Sequence, residues 1–392
     1  MYHSKFEQPR NENNTIVVAL LTARMSSNAG GLSVAVQELA HGLDDFSDIE
    51  THVLGTQDPF DSSVATSWGP QVQGFTVFGP ASLQWAPAMA LALDRLAPDI
   101  IDVQGLWTWT SRISLNHWRC HRKPYVISPH GMLDPWARRN SAWKKSLFAA
   151  FVETEHLTNA RCLRATAEME ASHFREMHLR APIAIVPNAV SISVLQPRPV
   201  RQRMQALFLS RIHPKKGLDL LLKAWAKVED EHPEWDLVIA GIDENGHETE
   251  LKKQAERLSL DRVTFFGPVH GAAKEALYRR SDLFILPTHA ENFGLVIAEA
   301  LAQEVPVITT TNAPWSGLVD KRCGWWIPLN PKQLASTMAH AMTLPREELQ
   351  AMGARGRVWI EADFSPEQVS AKMREVYLWC TGRMKRPDHV YE

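Results

Sequence analysis

Strand-length runs of β-branched and aliphatic residues alternate with helix-compatible stretches through this chain, and the alternation restarts once. In the first half the runs are "TIVVALLTA" (15–23), "THVLGT" (51–56), "FTVFG" (75–79), "IIDVQG" (100–105), "PYVISPHG" (124–131), "ARCLRAT" (160–166) and "IAIVPNAV" (183–190). In the second half they are "QALFLS" (205–210), "DLVIAG" (236–241), "RVTFFG" (262–267), "DLFILPT" (282–288), "PVITT" (306–310) and "GWWIP" (324–328). Runs this continuously apolar belong to strands buried on both faces, which means parallel sheets covered by helices. The expected fold class is α/β, doubly wound, with about six strands in each half.

The break between the halves is "SISVLQPRPVRQRM" (191–204), polar, with two prolines and no helical or strand period, and it reads as a linker. A chain of 392 residues is long for a single core, so two domains are expected, 1–195 and 196–365. The tail from Pro331 to about Cys380 is helical in pattern, and "SPEQ" places a proline where a helix opens. Open parallel sheets bind ligands at the carboxyl ends of their strands, so the chemistry should follow strands.

Three stretches meet that requirement. After the first strand comes "RMSSNAGGLSVAVQELAHGL", where Gly30 and Gly31 let backbone amides approach a ligand at a helix start. It is not the Gly-x-Gly-x-x-Gly dinucleotide fingerprint, and a tight packing turn explains it equally well. After "ALFLS" comes "RIHPKKGLDLLLKAWAKV", where Arg211 and Lys216 flank a proline turn; a guanidinium and an ammonium there can hold a diphosphate. After "DLFILPT" comes "HAENFGLVIAEAL", with Glu291 in the loop and Glu299 inside the helix that opens near Phe293 and Gly294. A helix start offers free N–H groups and a positive dipole end, and a carboxylate accepts well from neighbouring ribose hydroxyls. Solvated loops or faces are the plain alternatives for each charged residue.

Together these residues resemble the retaining glycosyltransferases of GT-B architecture, group 1 or family 4. The Gly-Gly before a helix, "SRIHPKKG" and "PTHAENFGLVIAEALAQEVPVITT" stand in family order over nearly the whole chain, the last matching a Glu-x7-Glu element. The resemblance implies two Rossmann-like domains facing each other across a cleft, with a C-terminal helix (about 366–392) packed back on the first. It implies that Arg211 and Lys216 bind the donor diphosphate, that Glu299 holds the ribose, and that Glu291 lies at the donor sugar. The backbone of Asn292, Phe293, Gly294 and Leu295 would line sugar and phosphate, Gly31 would reach the diphosphate, and the base would be read around Val269. His130, in "SPHGML", matches a histidine near the transferred sugar, while Asn188 in "VPNAV" is structural. The chain departs from the family where Gly-Gly-x-x-Glu is usual: "TNAPWSGLVDKRCGWW" has Pro314 and Trp315 there. "PHGMLDPWARRNSAWKKSLF" and "GWWIP" resemble a bacterial subset that makes surface polysaccharides.

The implied donor is GDP-mannose or a UDP-hexose, the acceptor a glycan or lipid-linked saccharide, and the outcome retention of configuration. No Asp-x-Asp occurs, and four scattered cysteines give no Cys-x-x-Cys, so neither a diphosphate-bridging metal nor a structural zinc is expected, and no cofactor beyond the donor. A formal net charge of -2 argues against nucleic acid as a partner. No apolar run reaches the ~20 residues of a spanning helix, and the polar start lacks a secretory signal, so a cytoplasmic location is expected. Between Arg112 and Lys145 eight Lys/Arg face one acid, Asp134, with Trp136, Trp143, Phe148 and Phe151 among or after them. That mixture over 112–151 suits peripheral contact with anionic lipid, and equally a solvated helix. A glycosidase, a sugar phosphorylase or epimerase, and a non-catalytic nucleotide-sugar-binding subunit are the competing functions.

Overall fold

The computed structural model describes residues 15–25, 30–57, 68, 71–79, 82–135 and 152–392. The described residues divide into two compact units, one made of 1–189 with 366–392 and the other of 190–365. The division falls earlier than 195/196 because the chain joins the second unit at once. Val190 lies in that unit's core, and its N–H donates to the Phe364 carbonyl at 2.9 Å.

The first unit carries an eight-stranded sheet in the order β14-β7-β6-β5-β4-β1-β2-β3. Its strands are β1 (Ile16–Met25), β2 (Ile49–Gln57), β3 (Val72–Thr76), β4 (Ile100–Gln104), β5 (Tyr125–Ser128), β6 (Cys162–Ala165), β7 (Ile183–Ile185) and β14 (Val390–Tyr391). The second unit carries a six-stranded sheet in the order β10-β9-β8-β11-β12-β13. These are β8 (Met204–Leu209), β9 (Trp235–Ala240), β10 (Val263–Gly267), β11 (Leu283–Leu286), β12 (Val307–Thr310) and β13 (Gly324–Ile327). All pairings are parallel except β14 with β7. Each sheet is doubly wound: the chain runs outward over three strands, returns across the first, and continues the other way.

Burial explains where the sequence pattern was strong. The central strands β4, β5, β11 and β12 are buried at every position. The edge strands β3 and β10 alternate or lie open, as strands with one neighbour do. Accordingly β3 is Val72–Thr76 and not 75–79: beyond Thr76 the ladder to β2 ends, and Phe78 instead makes an isolated bridge to Trp85. β14 escaped the pattern because two residues at the chain's end carry no period.

The Pro366–Cys380 helix returns the chain to the first unit, against the Gly31–Leu43 helix. Buried Tyr377 on it donates to Asp102 Oδ2 at 2.7 Å, and Ser128 Oγ donates to Asp102 Oδ1 at 3.0 Å. Full burial pushes the Asp102 carboxyl above its ordinary range. Arg374 on the same helix grips Asp48 with two guanidinium nitrogens. The four cysteines are free, three of them buried. No helix among the described residues is long and apolar enough to cross a membrane.

Candidate functional site

In the second unit the winding reverses between β8 and β11, so the loops after those strands diverge and leave a crevice at their carboxyl ends. Arg211 and Lys216 follow β8; Glu291 and the start of the Leu295–Ala302 helix follow β11. The sheet order therefore brings the cationic loop and the acidic loop together.

The loop after β8 tightens into a 3-10 turn, Pro214–Lys216, capped by His213, whose Nδ1 accepts from the Lys215 N–H at 3.0 Å. Gly217 ends the turn at φ 71°, and a Cβ there would lie 2.0 Å from the Pro287 carbonyl oxygen, so only glycine lets the two loops approach. The Lys215 carbonyl accepts from the His289 N–H at 2.8 Å and from Thr288 Oγ1 at 3.2 Å. On the far side Glu291 N–H donates to the Asn312 carbonyl at 3.0 Å, joining the loop after β12.

Lys216 is buried, with its ammonium 2.5 Å from Glu291 Oε2. A buried ammonium requires such a partner, since an unpaired charge away from water is costly. Arg211, by contrast, has a side chain 56% exposed and reaches Glu244 Oε1 at 2.7 Å. The two cations thus differ: one is a fixed point charge beneath the crevice, the other a solvated fork at its edge.

Gly294 caps the Leu295–Ala302 helix at φ 82°, and a Cβ on it would come 2.9 Å from Glu291 Cγ. The positive helix start thereby lies directly against the acid that holds Lys216. Phe293 is buried, and its carbonyl accepts from Trp315 Nε1 at 2.5 Å. Trp315 also packs on Phe293, Phe364 and Trp359. The tryptophan that breaks the family's glycine pattern is a core plug beneath the helix start. Asn292 and Leu295 are partly buried at that start, and Val269 packs partly buried on the core before the Gly271–Arg279 helix.

Glu299 has protein partners: its Oε1 accepts from Lys274 Nζ at 2.6 Å and its Oε2 from Tyr278 O–H at 3.0 Å. Both come from the Gly271–Arg279 helix, and neither was singled out in the sequence. Lys274 and Tyr278 stand four apart in "GAAKEALYRR", on one helix face, which was the available signal.

The remaining candidates lie in the first unit, where the winding reverses between β1 and β4. Gly30, at φ 73°, caps the helix that Gly31 opens, and both are exposed. His130 follows β5 at φ 51°, with Nε2 2.7 Å from Gln104 Oε1 at the end of β4. Burial, with Arg164 adding to it, pushes the imidazole down to a pKa of about 3, so it is neutral. Next to it the Gly131 N–H donates to Glu170 Oε1 at 2.6 Å. Asn188 is structural: its Oδ1 accepts from buried Arg164 at 3.3 Å.

Of the basic stretch, Arg119 pairs with Glu155, Lys123 with Asp99 at 3.2 Å, and Arg122 covers the Trp118 ring at 4.5 Å. Arg138, Arg139, Lys144 and Lys145, with Trp136, Trp143, Phe148 and Phe151, lie outside the described residues, and so does the main part of the expected lipid contact.

Comparison with known proteins agrees with this architecture. The "Glycosyl transferases group 1" family profile matches residues 196–359, and the "Glycosyl transferase 4-like domain" profile matches residues 30–189. Among curated relatives, alpha-1,3/1,6-mannosyltransferase alg2 of Schizosaccharomyces pombe is 26% identical over 275 residues, 60% of this chain and 54% of that protein. The lipopolysaccharide core biosynthesis mannosyltransferase LpsB of Rhizobium meliloti is 31% identical over 174 residues, 43% of this chain and 49% of that one. The chain thus spans about half the length of these relatives. Among solved structures, Anabaena HepE in complex with UDP-glucose superposes with a TM-score of 0.72 at 19% identity, covering 92% of this chain and 99% of that one. With both profiles matched in order and both sheets doubly wound, the chain belongs to the group 1, family 4 glycosyltransferases of GT-B fold.

Proposed function

We propose that the protein transfers a hexosyl group from a nucleotide diphosphate sugar to a glycan or lipid-linked saccharide, with retention of configuration and without a metal. The observation that carries this reading is the Lys216–Glu291 pair at the β8/β11 reversal, with Arg211 at its edge and a helix start against it. Two side-chain cations and free amide N–H groups suit a departing diphosphate, which gains charge as the glycosidic bond breaks. Mannosyl transfer is the first donor chemistry to test, because alg2 and LpsB are named as mannosyltransferases. UDP-hexose is the second, because HepE was solved with UDP-glucose.

In the reaction, the bond between the sugar's anomeric carbon and the diphosphate oxygen breaks as the acceptor hydroxyl attacks from the same face. The acceptor's proton passes to the leaving phosphate, so no separate protein base is required. Lys216 is released from Glu291 to the diphosphate, and Arg211 forks onto the phosphate oxygens from the edge. Glu291, freed of its cation, accepts from hydroxyls of the donor sugar. Glu299 accepts from the ribose while Lys274 and Tyr278 hold its carboxylate in place. Gly31 offers an amide to the diphosphate, and neutral His130 accepts from or donates to a sugar hydroxyl. The family resemblance supports these last assignments.

A thermal-shift and turnover screen against GDP-mannose, GDP-fucose, UDP-glucose, UDP-galactose and UDP-N-acetylglucosamine tests the proposal. One of them should stabilise the protein and be consumed only with an acceptor. Stabilisation by none, or glycan cleavage without any nucleotide sugar, would defeat it.

A further inference from the structure

On the first unit, two histidines and an aspartate that take no part in the donor assignment converge. His117 and His121 stand four apart near the end of the Trp109–His121 helix, so their rings share one face. Their centroids are 4.4 Å apart. Asp94, near the end of the Pro87–Leu96 helix, brings one oxygen to both: Oδ1 is 3.2 Å from His117 Nδ1 and 3.7 Å from His121 Nε2. One ligand-type atom from each of the three residues lies within 4.8 Å of the others. In a tetrahedral site with metal–ligand bonds of about 2.0–2.1 Å, neighbouring ligand atoms stand roughly 3.4 Å apart. The two oxygen–nitrogen separations bracket that edge.

We propose that Asp94, His117 and His121 bind one divalent transition-metal ion, of the imidazole-preferring kind exemplified by zinc, and so staple the Pro87–Leu96 helix to the Trp109–His121 helix. The ligand set of two imidazoles and one carboxylate suits zinc, nickel or copper and not magnesium or calcium, which prefer all-oxygen sites. His117 is nearly fully buried, and its Nε2 meets no polar partner among the described residues, so Nδ1 is the ring's one engaged polar atom. Asp94 and His121 are about half exposed, which leaves an approach for the ion and room for a water as fourth ligand. The nearby cation Lys123 is paired with Asp99 and does not occupy the carboxylate.

The position argues for a structural role. Both helices end by leading into the amino-terminal ends of β4 and β5, whereas Gly30 and His130 follow the carboxyl ends of β1 and β5. The ion should therefore raise stability and leave glycosyl transfer alone.

The test is zinc titration of the full chain, competed against a chromophoric chelator, with Tm read in parallel and magnesium as control. The native protein should bind one zinc and gain Tm, and magnesium should do neither. H121A and D94A change exposed side chains and should fold; each should weaken zinc binding by at least about tenfold, since losing even an outer partner of a metal ligand costs that much. Equal zinc affinity in native protein and both variants would show adventitious surface binding and overturn the site. Tight binding that leaves Tm unchanged would overturn the staple. Neither result bears on the donor assignment, which uses none of these three residues.

Discussion

The two units repeat one topology and put different chemistry at the carboxyl ends of their central strands. In each, the chain reverses its winding across the first strand, at β1/β4 in one and β8/β11 in the other. In the second unit the loops there hold ionised groups: Lys216 with Glu291, Arg211 with Glu244, and Glu299 with Lys274 nearby. In the first unit the loop after β1 ends in Gly30 and Gly31, and Gln104 at the end of β4 meets a neutral His130 that comes from the loop after the next strand, β5. The backbone supplies a crevice in both cases, and side chains decide what it can bind. A charged crevice suits a diphosphate; a neutral one with a hydrogen-bonding imidazole suits hydroxyls.

Lys216→Ala should break this contrast most. It removes a preorganised cation from a water-poor site, so turnover should fall by roughly 10²–10³-fold, in the range seen for deleting one transition-state donor. It also leaves the partly buried Glu291 carboxylate unpaired, a separate penalty of about 1–3 kcal/mol. The double variant K216A/E291Q separates the two effects: stability should recover while turnover stays low. Activity returning with stability would show that the pair serves folding alone.

Arg211→Ala follows in size. Its pairing with Glu244 is exposed, so stability should shift by no more than about 0.5 kcal/mol. Donor turnover should nevertheless drop by about tenfold or more, measured as kcat/KM at constant ionic strength, because a forked contact to phosphate is lost. An unchanged kcat/KM would place Arg211 outside the donor's reach.

Trp315→Phe tests how the second unit supports its helix start. Phenylalanine keeps part of the aromatic packing on Phe293 and Phe364 but cannot donate to the Phe293 carbonyl. A loss of about 1–2 kcal/mol is expected in chemical denaturation, from one hydrogen bond and the smaller ring. Donor binding should weaken less than it does in R211A, since Trp315 acts through Phe293.

How much of this was legible in the sequence follows from the same physics. The central strands were visible because burial on both faces demands unbroken apolar runs, as in "LFIL" of β11. Edge strands such as β3 and β10 blur that signal, and β3 was displaced along the chain as a result. Arg211, Lys216 and Glu291 drew attention because they stand in loops after strands, and Glu299 because it sits in the helix that follows, where chemistry collects in open parallel sheets. Their partners were not. That Lys216 meets Glu291 depends on which strands are neighbours, and that Lys274 and Tyr278 meet Glu299 depends on how one helix lies on the next. Trp315 stood out only as a departure from the family's glycines and is a packing residue, a distinction that burial alone makes.

His130→Gln has an effect confined to acid pH and gives the sharpest check on the neutral crevice. An ordinary histidine has a pKa of about 6.5 in the unfolded chain. In the fold, burial beside Arg164 holds it at about 3. Above pH 6.5 both states are neutral and the group contributes no pH dependence. Below 6.5 the unfolded state takes up a proton that the folded state refuses, so stability falls with falling pH, by up to about 1.4 kcal/mol per unit, until pH 3. Glutamine keeps a hydrogen-bonding group toward Gln104 without titrating, so urea midpoints of H130Q should fall less steeply than the native ones between pH 6.5 and 4.5. Parallel slopes would mean that His130 is free to take up a proton, and the first unit's crevice would then carry charge like the second.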